Sequence, residues 1–249
     1  MDIITFVKRV PATTTIVSVK DRKLDPQGVE FVMNPYDEFA VEEGIKQRDA
    51  AGSGAVLAVS LSEGAAQKEL RTALAMGADE ALLLTNPGAG EADCLATAQA
   101  LAAGIEGRSF DLLLFGKQAV DRDQHGVGPA VATILGVPCI TEVVKLDVAD
   151  GKVVAEREVE GARETVEAPL PCAITCQKGL NEPRFASLKG IMAAKKKPLE
   201  TREVELPAAT VEVVDMALPP ERPAGRIVGE GAAAVPALVD ALRDEAKVL

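Results

Sequence analysis

Asp111-Leu112-Leu113-Leu114-Phe115-Gly116-Lys117-Gln118-Ala119-Val120-Asp121-Arg122-Asp123-Gln124-His125-Gly126-Val127-Gly128-Pro129 sets the architecture of this chain. Its first part is a short apolar run stopped by a glycine, as in a strand buried on both faces. A polar loop follows and feeds a helix at Val127–Leu135, with Pro129 in its first turn. In open α/β sheets, ligands sit beyond the carboxyl ends of strands. Backbone N–H groups at Gly126, Val127 and Gly128 suit a phosphate, helped by the helix dipole. The glycines let backbone approach an anion closely. The spacing is neither Gly-x-Gly-x-x-Gly after a first strand nor a P-loop, so an ordinary strand–helix turn capped by Asp121 or Asp123 stays open. His125 has no Ser or Cys beside it in a triad motif and reads as a loop or phosphate-proximal group, not a general base.

The same strand–helix unit recurs on the N-terminal side. Residues 3–7, 55–60 and 81–85 are apolar runs, and residues 62–76 and 93–105 read as helices. Units of this size imply parallel strands with right-handed crossovers. Residues 15–19 and 29–33 suggest a hairpin. Asn34 and Pro35 mark a helix start, Asn34 as the cap and Pro35 at the first helical position. Phe39, Val41 and Ile45 give that helix an apolar face, and Asp37, Glu38, Glu42 and Glu43 suit its positive end. This second strand-end loop carries the chain's only Tyr, Tyr36, which capping does not require and an aromatic ligand would use.

On the C-terminal side the pattern changes after Gly136. Residues 139–146, 152–160 and 163–168 read as strands joined by turns such as Asp150-Gly151, and 171–176 as a short apolar strand. Residues 181–197 read as a helix or a loop plus helix. From Pro198 the chain is rich in proline and charge, with a strand-like stretch at 211–216, breakers at Pro219, Pro220 and Pro223, and an amphipathic helix at about 233–247.

Composition narrows the function classes. The 249 residues are 47% hydrophobic with no Trp, one Tyr and six Phe, so the core is Ala, Val, Leu and Ile, as in a helix-covered parallel sheet. The net charge of −11 argues against nucleic-acid binding. No run reaches the about 18 apolar residues of a membrane span, and Met1 to Val10 reads as a first strand, not a leader. The four cysteines, Cys94, Cys139, Cys172 and Cys176, lie in apolar segments without redox or zinc spacing and read as buried reduced thiols. One histidine leaves few ligands for a metal enzyme.

A set of ordered motifs then resembles the β subunit of electron transfer flavoprotein. They are Val7-Lys8-Arg9-Val10, Met33-Asn34-Pro35-Tyr36-Asp37-Glu38-Phe39-Ala40, Leu70-Arg71-Thr72-Ala73-Leu74-Ala75-Met76-Gly77-Ala78-Asp79, Gly116-Lys117-Gln118-Ala119-Val120-Asp121 and Leu180-Asn181-Glu182-Pro183-Arg184-Phe185-Ala186-Ser187-Leu188. The resemblance implies an α/β fold, a parallel sheet flanked by helices, similar to adenine nucleotide α-hydrolases (Rossmann-like) but without hydrolysis, with a C-terminal extended arm and helix. It implies a heterodimer whose α subunit holds most of the redox-active FAD site, while this chain buries a structural AMP. By position, nucleotide contacts would be Phe6, Asn34, Pro35, Tyr36, Asp37, Leu61 and every residue from Gly116 to Val127. Tyr36 would face the α subunit's flavin. Residues 1–198 would form the nucleotide-binding domain, including a recognition segment at 176–198, and 199–249 an arm packing on the α subunit. The chain would be a cytoplasmic carrier subunit in fatty acid β-oxidation, with no catalytic residue of its own.

Some members of the resembled family bind a second FAD in place of AMP and bifurcate electrons from NADH. Val10-Pro11, Leu95-Ala96-Thr97 and Val127-Gly128-Pro129 resemble that group, but Arg122 stands where it has glycine and Cys94 where it has threonine. Arg122 would crowd a second flavin or pair with a phosphate. AMP is the expectation; with a second FAD, Thr97 would be a hydrogen-bond partner. A stand-alone nucleotide-binding protein of similar fold would have no need of the chain after residue 180.

In the last motif and its continuation to Ile191-Met192, Phe185, Leu188, Ile191 and Met192 recur at helical spacing, which alone suggests a core-facing helix. The resemblance instead makes this the recognition loop, with Leu188 the anchor for acyl-CoA dehydrogenases and electrons passing on to a membrane quinone reductase. Arg184 and Lys195 to Lys197 would form a basic island that steers an acidic partner.

Overall fold

In the computed structural model, which describes residues 1–221 and 224–249, the elements follow in the order β1 (Ile3–Phe6), β2 (Arg9–Pro11), β3 (Val19–Lys20), β4 (Lys23–Leu24), β5 (Phe31–Met33), α1 (Pro35–Ala51), β6 (Val56–Ser62), α2 (Gln67–Met76) and β7 (Glu80–Thr85). Then come α3 (Cys94–Gly104), β8 (Leu112–Gly116), α4 (Val127–Leu135), β9 (Cys139–Ala149), β10 (Lys152–Val159), β11 (Ala162–Pro169), β12 (Cys172–Cys176), α5 (Leu188–Ala194), β13 (Leu199–Glu203) and α6 (Val235–Asp240). Pro223 lies outside the described residues.

Nine strands form one sheet in the order β11-β10-β9-β12-β8-β1-β6-β7-β13. From β9 to β13 all neighbours are parallel; β9, β10 and β11 form an antiparallel meander. β1 is buried along its whole length, so both faces must be apolar. Ile3, Val56, Ala58, Leu112 and Leu114 point to the face covered by α1 and α2, with Val41, Ile45, Leu70 and Leu74. Ile4, Phe6, Leu57, Val59, Leu113 and Phe115 point to the face of α3 and α4, with Leu101 and Val131. The chain moves from β1 through α1 and α2 to β7, then returns by α3 to β8 on the other side of β1. Right-handed crossovers in opposite directions put the two helix pairs on opposite faces.

Several elements differ from the sequence reading. The hairpin expected from residues 15–19 and 29–33 is absent; β5 pairs instead with β2, Arg9 opposite Met33 and Pro11 opposite Phe31. The intervening chain makes its own tight hairpin, β3–β4, whose turn residues Asp21 and Arg22 have φ of 50° and 62°. Two successive left-handed residues match the twist of a two-residue hairpin, and no glycine advertised it. β6 runs on to Ser62, so α2 starts only at Gln67. β13 is the largest omission. Its charged sequence hid a strand that pairs with β7, Leu199 opposite Ala81, and charge is common on a sheet edge. Residues 211–216 form no strand. The final helix is a 3-10 turn at Ala232–Ala234, α6, and a π turn at Ala241–Glu245. All four cysteines are free thiols, but only Cys172 and Cys176 are buried; Cys94 and Cys139 are half-buried.

Candidate functional site

The strand order reverses between β1 and β8, so their carboxyl ends open a crevice that neither crossover covers, the usual ligand position in such sheets. Phe6 ends β1 and Phe115 precedes the last residue of β8. Their rings stack with centroids 4.2 Å apart and planes 2° from parallel. Leu61 packs, half-buried, against the same cluster. Asn34 to Asp37 open α1 beside this point, and Gly116 to Val127 leave it. Thr97 lies in the first turn of α3, its N–H bonded to the carbonyl of Asp93. The fold thus gathers the sequence-predicted residues at one end of the sheet.

Two of them have work the sequence did not reveal. Asn34 makes no side-chain cap on α1. Its Nδ2 donates to Asp37 Oδ1 (2.9 Å) and to the Gln118 carbonyl (2.8 Å), and its Oδ1 accepts from the Val120 N–H (3.2 Å). Asp37 is 6% exposed and accepts backbone N–H bonds from Lys8 (2.7 Å) and Gly116 (3.2 Å), the ends of β1 and β8. Burial raises its carboxyl to about 7 against the pull of these donors. Gly116 has no room for a Cβ, which would overlap the Asp37 carboxylate and come within 2.8 Å of Tyr36 Cβ.

The loop is tied down at further points. Lys8 Nζ pairs with Asp121 at 2.7 Å, and Gln118 Nε2 donates to Asp123 Oδ1 at 2.5 Å. Neither aspartate caps α4, which starts without a side-chain cap. The first-turn N–H groups of Val127 and Gly128 have no helical partner and suit an anion, so these residues fit a phosphate here. The glycines themselves serve packing. A Cβ on Gly126 would meet Cys94 Sγ at 2.7 Å, and one on Gly128 would meet Thr175 Cγ2 at 2.9 Å. Neighbouring protein therefore keeps both positions small. Arg122 donates to the carbonyls of Gly90 (2.6 Å) and Ala92 (2.7 Å), so its guanidinium is held by the loop before α3. Lys117 Nζ lies 5.4 Å from the centroid of the half-buried Tyr36 ring, and His125 Nδ1 lies 3.5 Å from Glu142.

Asp93 was missed. One oxygen caps α3 at the Ala96 N–H (2.8 Å). The other accepts from Thr210 N and Oγ1 (2.5 and 2.8 Å) and Val211 N (3.0 Å), fastening the arm to the start of α3. These bonds, the Ala96 N–H first, hold its carboxyl at about 2. Arg22, at the β3–β4 turn, grips the arm again through Asp215 (2.9 Å) and the Val214 carbonyl (2.6 Å). Asp-before-helix was the only local signal for any of this.

In the segment expected to recognise partners, Ser187 caps α5 through the Gly190 N–H (3.0 Å). Phe185 is 99% exposed, Leu188 85%, Met192 62% and Ile191 44%, so the core-facing alternative does not hold for them. Arg184 is not a free basic contact. Its Nε and Nη2 bind both oxygens of the buried Glu42 (2.7 and 2.9 Å). Lys197 is also occupied, donating to the carbonyls of Leu74 and Ala78 at the end of α2 (3.0 and 2.6 Å). The basic island shrinks to Lys195 and Lys196. Among the described residues no cluster of three or more His, Cys, Asp or Glu is placed to hold a metal ion, and no helix is long and apolar enough to cross a membrane.

Comparison with known proteins bears on these features. The family model described as electron transfer flavoprotein domain matches residues 21–207. The chain is 40% identical to the electron transfer flavoprotein subunit beta of Bacillus subtilis, covering 100% of both chains. It is 36% identical to the subunit of that name from Syntrophomonas wolfei, covering 90% of this chain and 88% of that one. It is 38% identical to the caffeyl-CoA reductase–Etf complex subunit CarD of Acetobacterium woodii, covering 80% of this chain and 77% of that one.

Proposed function

The chain belongs to the electron transfer flavoprotein β-subunit family, and on that premise we propose that it pairs with an α subunit to carry electrons from acyl-CoA and related dehydrogenases towards a quinone reductase. In this reading FAD, held mainly by the α subunit, supplies the redox chemistry. This chain contributes no acid, base or nucleophile. It holds AMP in the crevice beyond β1 and β8, with Phe6, Leu61 and the loop from Gly116 to Val127 around it and the phosphate at the start of α4. Tyr36 faces the partner's flavin. Phe185, Leu188, Ile191 and Met192 present the docking surface.

The observation that carries this reading is the uncapped start of α4 beside the point of strand-order reversal. The pinned loop is a pre-formed phosphate cradle that needs no rearrangement to be filled. The apolar side chains on α5 and its approach suit brief docking, in which a few anchors concentrate the energy inside a polar rim.

A second reading, a bifurcating NADH oxidoreductase with a second FAD in place of AMP, gains from one feature. Arg122 is drawn onto the Gly90 and Ala92 carbonyls and is not free to crowd a larger ligand. Nucleotide counting separates the two. The chain is co-purified with its α subunit, denatured, and the released nucleotides are quantified. One FAD and one AMP per heterodimer is expected. Two FADs would establish the second reading, and no adenylate besides one FAD would overturn both.

A further inference from the structure

We propose that Asp37 is a positioning residue: it clamps the ends of β1 and β8 together and, by orienting the Asn34 amide, sets the shape of the nucleotide loop at Gln118 and Val120. The proposal rests on the reading of residues 116–127 as an adenylate site, and it moves Asn34 and Asp37 from ligand contacts to the frame behind them. Asp37 as a whole is 6% exposed. Oδ1 faces Asn34 Nδ2 and the Gly116 N–H, and Oδ2 faces the Lys8 N–H. Three donors, all from the protein's own frame, already hold the carboxylate. Asn34 is likewise committed. Its amide takes the place of a neighbouring strand for the loop, accepting at Val120 and donating at Gln118. Only one amide orientation satisfies both, and the Asp37 carboxylate selects it by accepting the second N–H.

The carboxylate is surrounded by donors, so the ionised form makes the clamp. A protonated Asp37 would give up the charge assistance of these bonds, which makes them roughly twice as strong as neutral ones. Burial opposes ionisation and raises the group to about 7. The two effects run in opposite directions with pH. Because the folded value is raised from 3.8 to about 7, the contribution of Asp37 to folding is greatest below 3.8 and is lost as pH rises through about 7. Loop shape improves over the same rise. The groups that feel this charge are Lys8, which favours it, and the Cys176 thiol, which is pushed up by burial and by Glu43 and Asp37. Glu38 shares its helix, Lys117 and Asp121 its loop, and the His125–Glu142 pair lies farther along that loop.

The test uses the complete heterodimer loaded with AMP and follows AMP dissociation between pH 6 and 8, beside thermal melting. In the wild type, dissociation should slow several-fold as pH rises through about 7, while the melting temperature does not rise. Asp37→Ala should release AMP on the order of tenfold faster and lose most of this pH dependence. Its residual slope belongs to the phosphate, whose second pKa is about 6. Asn34→Ala should match it, and the double variant should be no worse than the worse single, because one residue acts through the other. Additive losses, or a wild-type pH profile retained in Asp37→Ala, would overturn the proposal. Should Asp37→Ala not fold, Asn34→Ala and the wild-type profile still decide: Asn34→Ala releasing AMP like the wild type, or AMP retention tracking melting, refutes it. A wild-type heterodimer holding no AMP at any pH would sink the adenylate reading itself, whereas wild-type-like AMP release from the variants sinks only the role of Asp37.

Discussion

Replacing Leu188 by alanine should separate docking from folding more cleanly than any other change. Leu188 is 85% exposed and opens α5, where alanine is the best helix former. The folded chain has almost nothing to lose, and an exposed substitution of this kind stays within about 0.5 kcal/mol. The whole side chain is instead available for burial by a partner. Fully burying a leucine is worth about 1.5–3 kcal/mol, and alanine keeps only the first carbon. With 85% of the group free to be covered, the loss on docking is roughly 2 kcal/mol, about thirtyfold in affinity. The assay is reduction of the heterodimer by an acyl-CoA dehydrogenase, with the heterodimer as the varied substrate. KM should rise about thirtyfold with kcat, melting temperature and bound nucleotide unchanged. An unchanged KM would remove the anchor. A lower melting temperature would mean that Leu188 packs on its own chain, contrary to its exposure.

Other expectations follow from side chains whose roles became visible only in the fold. Arg184→Ala leaves Glu42 buried at 7% exposure without its bidentate partner. Breaking a fully buried pair costs about 3–5 kcal/mol, and because Arg184 is 42% exposed roughly 2 kcal/mol is expected after screening, read as a lower denaturation midpoint with little change in dehydrogenase KM. The reverse pattern would restore Arg184 to the docking surface. Asp93→Ala should free the arm, so that limited proteolysis cuts beyond Val204 faster than in the wild type. Asp93 titrates at about 2, below its ordinary 3.8, so its contribution is present above 3.8 and is lost as pH falls through about 2. Wild-type arm protection should therefore persist at pH 4, and loss of protection there would exclude the carboxylate as the clasp.

The local order of residues carried the scaffold. Uninterrupted apolar runs such as Leu112–Leu113–Leu114, alternating with helical segments, leave no arrangement but parallel strands covered on both faces. A glycine-ended strand running into a helix placed the 116–127 loop at the strand ends, and helical spacing made the Phe185–Met192 stripe visible, though not which way it faces. Those signals are local, because backbone periodicity and turn chemistry act over a few residues. Three-dimensional packing assigned the partners. Arg184 meets Glu42 across 142 residues, and Thr210 meets Asp93 across 117; no spacing rule links positions so far apart. Asn34 looked like a helix cap and became a brace for the loop, because the return of α3 to β8 brings Val120 beside it. Charged β13 became a strand because β7 offered an open edge. A side chain's type limits which bonds it can form, but the crossover path of the chain decides which donors and acceptors it meets, and that path is set by the burial of the whole core.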